Sequence, residues 1–220
     1  MEEFASSKKK IEETINEIIN HLKEDSNQDL ILAQKDYLDC FNIVSHFGNQ
    51  DQYAEELFKS HNELAEKSMV VFFEKIKDLE GNEFIDSFIT CTKKLNLIMN
   101  ILCKIFSFLD FYYIKFKKLK NLNENLMDIY KKSFFDKLQT KLFTILKGIL
   151  PEEEKNEEIH KKVEAIMNII DTLDYVKPKL IKTKGEAVWK ETSEEKNVDT
   201  KVDTKEDTKT YKKMWEEFKA

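Results

Sequence analysis

The amino-acid sequence predicts an all-α protein: an elongated bundle of about six helices followed by a flexible, charged C-terminal tail. The 220 residues include only four glycines and two prolines, which leaves few positions for turns. Apolar side chains recur at helical spacing through most of the chain. Hydrophobic residues make up 41% of the sequence, so the helices can bury a sizeable core.

Each helix is predicted from a periodic segment and the break that follows it. Ser7 is a candidate N-cap for the first helix, and Gly48 is expected to end the second by adopting the left-handed conformation. Gly81 lies in the break after the third helix, and Pro151 is expected to stop the fifth. The six predicted helices span residues 7–23, 30–47, 52–79, 83–118, 125–150 and 157–175.

The character of the chain changes after Val176. We predict a helical bundle over 1–176, a charged, low-complexity linker or tail over 177–210, and a candidate short helix over 211–220. Within the tail, residues 198–210 read VDTKVDTKEDTKT, a tandem repeat with too few apolar side chains to fold alone.

The charge and the cysteine content limit which partners the protein is expected to bind and in which cellular compartment it is expected to lie. The net charge is −6, the two signs are interspersed, and every cationic residue is lysine, which argues against nucleic-acid recognition. An AT-rich coding sequence would also explain the absence of arginine. The three cysteines are odd in number and far apart in the sequence. With no signal peptide and no long uncharged apolar run, they predict a cytoplasmic or nuclear protein without a membrane span.

No constellation of residues for catalysis, cofactor binding or metal binding is found in the sequence. The four histidines are scattered over separate segments without a metal-ligand spacing, and the cysteines sit in apolar surroundings that are typical of packing. Four isolated glycines cannot form a phosphate-binding loop. We therefore expect a protein that is not an enzyme and that has no cofactor and no metal. The histidines are His21, His46, His61 and His160, and the cysteines are Cys40, Cys91 and Cys103.

One basic and aromatic stretch, FYYIKFKKLK at 111–120, has two interpretations. It is compatible with binding to nucleic acid or to an anionic membrane surface. We favour the end of a buried helix whose lysines reach solvent and complement the helix dipole.

Residues 98–146 resemble the N-terminal repeat of cullins. A helix there ends in a pattern like (I/V)-x-x-Y-L-(D/N)-R-x-(Y/W)-(V/I), and this chain has IFSFLDFYYI at 105–114. The segment YLDCFNIVS at 37–45 is similar to the Y-M-x-L-Y-x-x-V-Y helix of the family. The order of elements agrees over about residues 8–190, although Phe111 stands where the family has arginine.

The resemblance implies a non-catalytic scaffold module of ubiquitin ligases that binds a BTB/POZ-fold adaptor through two helices. Helical spacing alone leaves open whether these positions are interface or core. Carried over to this sequence, the partner-binding residues are Tyr37, Leu38, Phe41, Val44, Phe108, Phe111 and Tyr112.

Two further interpretations stay open. The resemblance covers about one repeat, and the part of a cullin that recruits the ubiquitin-conjugating enzyme has no counterpart here. The chain is then either a fragment or a natural short form, and a natural short form is expected to occupy adaptors without delivering ubiquitin. The alternative is a structural helical subunit of a larger assembly without a ubiquitin-ligase role.

Overall fold

Helices make up almost all of the structure, a computed structural model that describes residues 2–24, 34–153 and 156–173 and the backbone of 179–183 and 186–190. The chain divides into two compact units, residues 1–175 and 176–220. The prediction of an all-α fold is confirmed. The first unit contains α1 Glu2–Lys23, α2 Gln34–Phe47, α3 Asp51–Ile76, α4 Gly81–Phe106, a π-helical turn Asp110–Ile114, α5 Lys115–Lys117, α6 Leu122–Tyr130, a second π-helical turn Lys131–Phe135, α7 Asp136–Glu153 and α8 Glu157–Thr172.

The described part of the second unit is a two-stranded antiparallel hairpin, β1 Lys179–Thr183 and β2 Glu186–Lys190. Leu180 lies opposite Trp189, and Ile181 lies opposite Val188. The sequence predicts a low-complexity linker here, but these strands are rich in the β-branched and aromatic residues that favour extended backbone. The candidate helix over 211–220 lies outside the described residues.

The core of the first unit is built around α3, which contacts α1, α4 and α6. Apolar side chains at helical spacing give each helix one buried stripe, and the rings of several helices meet inside. Phe88 of α4 stacks on Phe134 with ring centroids 5.8 Å apart. Burying one such ring contributes about 2 to 3 kcal/mol. The largest fully buried side chains include Tyr130, Phe72, Phe84, Phe88, Phe106, Phe134 and Phe135.

Two lysines hold the C-terminal end of α1 against the core. Lys94 Nζ donates to the carbonyl of Leu22 over 2.7 Å, and Lys75 Nζ donates to the carbonyl of Lys23 over 2.9 Å. The last carbonyls of a helix have no partner within the helix and carry partial negative charge, so ammonium groups stabilise them. These bonds fix α1 on α3 and α4.

The predicted helix over 83–118 is wrong, because α4 ends at Phe106 and the chain turns by 71° before it continues to Lys117. At the bend Ser107 Oγ donates to the carbonyl of Lys104 over 2.9 Å, which competes with the helical hydrogen-bond ladder. Among the described residues no single helix is long and apolar enough to cross a membrane. The two segments on either side of this bend meet that criterion only when they are taken together.

Several other helix ends differ from the predictions. Helix α1 begins at Glu2, so Ser7 lies within it and is not its N-cap. Gly48 is not in the left-handed region; that conformation is found at Gly81, with φ 55°, and at Lys118, with φ 54°. Helix α7 runs to Glu153, past the expected stop at Pro151. A proline removes only one helical hydrogen bond from its own nitrogen, and a terminal turn tolerates that loss better than a helix interior.

Candidate docking face

The residues predicted on α2 divide between core and surface. Leu38 is 45% exposed, and Tyr37 and Phe41 are half-buried. Val44 is 0% exposed, so its assignment to the contact surface is corrected. The side of α2 that carries Cys40 and Val44 faces the core. Val44 therefore packs α2 against the core and leaves the exposed side of the helix to other residues.

Gly48, just after α2, brings this helix against the bend that follows α4. A Cβ atom at this position would lie 2.6 Å from the Val44 carbonyl oxygen and 3.1 Å from both Leu109 Cδ2 and Phe108 Cδ1. Only a residue without a side chain allows this approach. The glycine is thus required by close packing, and it joins the two predicted parts of the site.

Phe108 continues the contact from Gly48 to the π-helical turn. Its ring stacks on that of Tyr112, with centroids 4.4 Å apart and planes 17° apart. Tyr112 is 58% exposed and Phe111 is 74% exposed. We call the six surface residues the docking face: Tyr37, Leu38, Phe41, Phe108, Phe111 and Tyr112.

The π-helical turn holds Phe111 and Tyr112 outward. Lys115 N donates to the Asp110 carbonyl across five residues, and this wider turn keeps Tyr113 and Ile114 buried next to two exposed rings. Such π-helical insertions are frequent at functional sites. The Asp110 carboxylate also accepts from Leu122 N over 3.0 Å, which ties the turn to the start of α6. The backbone beneath the exposed rings is therefore anchored on both sides.

Two exposed apolar residues beside the docking face were missed by the sequence prediction. Phe116 is 74% exposed and Leu119 is 44% exposed. The interpretation of this stretch as a buried helix end is wrong for these two side chains. The repeated lysines within FYYIKFKKLK were the available signal, because a segment with so many charges has few neighbours to cover its rings.

The titratable side chains inside the bundle are held in their neutral forms. His61 is 0% exposed between Phe58 and Phe106, and burial lowers its pKa to about 4. Burial raises the pKa of the Cys103 thiol to about 11, far above the range of a reactive thiolate. Within the described ranges, no group of three histidine, cysteine or acidic residues is arranged to hold a metal ion.

Comparison with known proteins agrees with this architecture. The family model for the cullin alpha solenoid domain matches residues 8–200. No curated protein matches the chain significantly. The ordered helices, the close contact between α2 and the bend, and a family match that spans most of the sequence lead to one conclusion: this chain belongs to the cullin family through its alpha solenoid domain.

Proposed function

We propose that the chain is a non-catalytic protein-interaction module that binds a BTB/POZ-fold adaptor through the docking face, in the manner of the scaffolds of ubiquitin ligases. The observation that carries this proposal is the contact of Gly48 with Phe108, since it joins two sets of surface side chains into one face. No disulfide joins the three cysteines, which lie in described parts of the chain, and this supports a cytoplasmic or nuclear setting.

The geometry of α2 supports a continuous surface. Phe41 and Gly48 are seven residues apart, so they lie on nearly the same side of the helix. Tyr37 precedes Gly48 by a distance of about 16 Å along the axis. The stripe from Tyr37 therefore runs to Gly48, continues over Phe108, and ends on the exposed ring of Tyr112.

The composition of the docking face also fits a protein interface. Aromatic rings dominate the energetics of protein contacts, and truncation of a central ring costs about 2 kcal/mol or more of binding free energy. Phe111 has 74% of its surface exposed, so a partner that covers it would remove a large apolar area from water. Leu38 adds an aliphatic contact at the other end of the face.

A matched pair of double variants tests this proposal. The first variant, Leu38→Asp with Phe111→Asp, places two charges on the docking face. The control, Val70→Asp with Leu97→Asp, places one charge on α3 and one on α4, outside the docking face. Val70 is 45% exposed and Leu97 is 42% exposed, so their substitution by aspartate is expected to lower the stability of the fold only slightly. Binding of a recombinant BTB/POZ-fold adaptor domain is measured by isothermal titration calorimetry, and circular dichroism verifies the fold.

We expect the docking-face variant to bind at least about a hundredfold more weakly and the control variant to bind like the wild type. Unchanged binding of the docking-face variant would refute the assigned surface. Loss of adaptor binding only in the control variant would also refute the assigned surface. A wild-type chain that binds no BTB/POZ-fold adaptor would favour the alternative, a structural helical subunit of a larger assembly without a ubiquitin-ligase role.

A further inference from the structure

A short ridge follows the π-helical turn and extends the docking face. Of the six residues from Lys115 to Lys120, four are lysine, in a chain whose net charge is −6. Phe116 lies one helical turn beyond Tyr112 and is 74% exposed. We call Lys115, Phe116, Lys118 and Leu119 the basic ridge.

The backbone of the basic ridge has a defined conformation. Lys118 adopts the left-handed conformation with φ 54° and ψ 38°, and Leu119 N donates to the Ile114 carbonyl over 3.0 Å. This arrangement ends the helix and presents Leu119 at the surface with 44% of its area exposed. The two apolar side chains are therefore held outward by a hydrogen-bonded turn.

The four ammonium groups differ in their partners. Lys117 Nζ lies 3.8 Å from Asp51 Oδ2, and Lys120 pairs with Asp128. Within the described part of the chain, Lys115 and Lys118 have no ion pair, and both side chains are exposed. Of these four lysines, Lys117 and Lys120 are balanced within the protein, and the two lysines of the basic ridge are available to a ligand.

The residues around the basic ridge favour a single polypeptide segment over an extended membrane surface as its ligand. Asp51 Oδ2 lies 3.8 Å from Lys117 Nζ, so an acidic group lies beside the ridge. Burial raises the pKa of the nearby Tyr113 hydroxyl, and the negative charges of Glu55 and Asp51 raise it further. An extended anionic bilayer would also face these carboxylates. A single polypeptide segment can contact the two lysines and avoid the acids.

We propose that the basic ridge binds an acidic segment of a protein partner, with apolar side chains of that segment against Phe116 and Leu119. This inference rests on the proposed function, since the ridge continues the docking face through Tyr112, and it specifies the charge of the partner. The charge complementarity of Lys115 and Lys118 is the observation that selects an acidic occupant.

The test uses the full chain and a labelled helical peptide of about 16 residues that carries leucine and phenylalanine on one face and glutamate elsewhere. A second peptide has lysine in place of every glutamate. Binding is followed by fluorescence anisotropy. One variant carries Lys115→Glu with Lys118→Glu, and a second carries Phe116→Ser. The charge-matched control carries Lys67→Glu with Lys147→Glu, two exposed lysines away from the ridge.

We expect the acidic peptide to bind the wild type and to lose about tenfold or more in affinity in the Lys115/Lys118 and Phe116 variants. Its affinity is also expected to fall between about 50 and about 300 mM salt. The control variant and the wild type are expected to bind alike, and the basic peptide is expected not to bind. An equal loss in the control variant, or equal binding of the basic peptide, would overturn the proposal.

Two other occupants have their own readouts. Co-sedimentation with phosphatidylserine vesicles that needs Lys115 and Lys118, without peptide binding, would overturn the protein partner in favour of a lipid surface. Self-association in sedimentation velocity that the Phe116→Ser variant abolishes would overturn it in favour of a second copy.

The two proposals fail separately. Adaptor binding that depends on Leu38 and Phe111, with no ridge-dependent peptide binding, would refute only the acidic segment. The opposite result, in which the peptide binds through the ridge and no adaptor binds, would refute only the proposed function.

Discussion

Gly48 is a position where a single added methyl group is expected to affect both the stability of the fold and the docking face. In the Gly48→Ala variant the new Cβ atom would lie 2.6 Å from the backbone oxygen of Val44, a separation that requires a shift. The neighbouring Leu109 Cδ2 and Phe108 Cδ1 atoms, both at 3.1 Å, leave little room for the helix to move. Overpacking of this kind costs about 1 to 3 kcal/mol of the free energy of unfolding.

Gly148 provides the matched control, since nothing lies within 4 Å of a Cβ atom built there. It lies inside α7, where alanine is favoured over glycine by about 0.5 to 1 kcal/mol. The same chemical change is therefore expected to have opposite signs at the two glycines. Urea unfolding followed by circular dichroism gives both values from the shift of the midpoint, provided that the slope is unchanged.

The result that would refute this reasoning is a Gly48→Ala variant as stable as the wild type while Gly148→Ala is stabilised. Such an outcome would mean that α2 does not approach Phe108 as closely as described. A destabilised Gly48→Ala variant is also expected to bind a BTB/POZ-fold adaptor more weakly, because the shift required at Val44 moves α2 relative to Phe108 and Tyr112. If the Gly48→Ala variant folds and its affinity for the adaptor is unchanged, the contact between Gly48 and Phe108 is not needed for adaptor binding.

The remaining predictions concern a buried histidine, a helix end and a buried hydrogen bond. His61 has a pKa of about 4 in the folded chain against 6.5 in the unfolded chain, so the unfolded chain binds more protons between these values. The stability that His61 contributes is complete above pH 6.5 and falls by about 3 kcal/mol as the pH drops through pH 4. Urea unfolding at several pH values across this window is expected to show a free energy of unfolding that depends less on pH in His61→Phe than in the wild type. An equal pH dependence in both proteins would contradict the lowered pKa of His61. Lys118→Gly is expected to stabilise the chain by about 1 kcal/mol in the same assay, because glycine adopts the left-handed conformation without steric cost; a destabilised variant would count against that geometry. Thr92 Oγ1 and the Tyr130 hydroxyl form a buried hydrogen bond of 3.0 Å, so Tyr130→Phe is expected to cost about 1 to 3 kcal/mol by leaving the threonine hydroxyl unpaired. Adding Thr92→Val should recover part of that loss in a double-mutant cycle, and strictly additive effects would indicate that the bond is not formed.

The sequence alone was sufficient for the fold class and for the family. Scarce glycine and proline together with apolar residues at helical spacing determine long helices, because these features act within one turn of the backbone. The apolar pattern that includes Tyr37, Phe41 and Val44 already placed these residues on one helix, predicted over 30–47. The family resemblance over about 8–190 is confirmed by the match over 8–200.

Only the tertiary structure decided which members of the predicted site reach solvent. Leu38 and Val44 belong to the same predicted set, yet one is 45% exposed and the other is 0% exposed. Helical periodicity fixes the angle between two side chains around the helix axis. Their exposure depends on which side of the helix other helices cover. The lysines around Phe116 indicate an exposed segment, but whether its ring is covered also depends on the neighbouring helices.

The bend after Phe106 and the role of Gly48 also depended on the tertiary structure. The segment from 83 to 118 reads as one helix because its apolar pattern is continuous, and the 71° turn is visible only from the packing of both halves. Gly48 was correctly placed at a helix end but for the wrong reason. A left-handed turn is a local preference, whereas close contact with Phe108 joins residues 60 positions apart in the sequence, and no local pattern records such a contact.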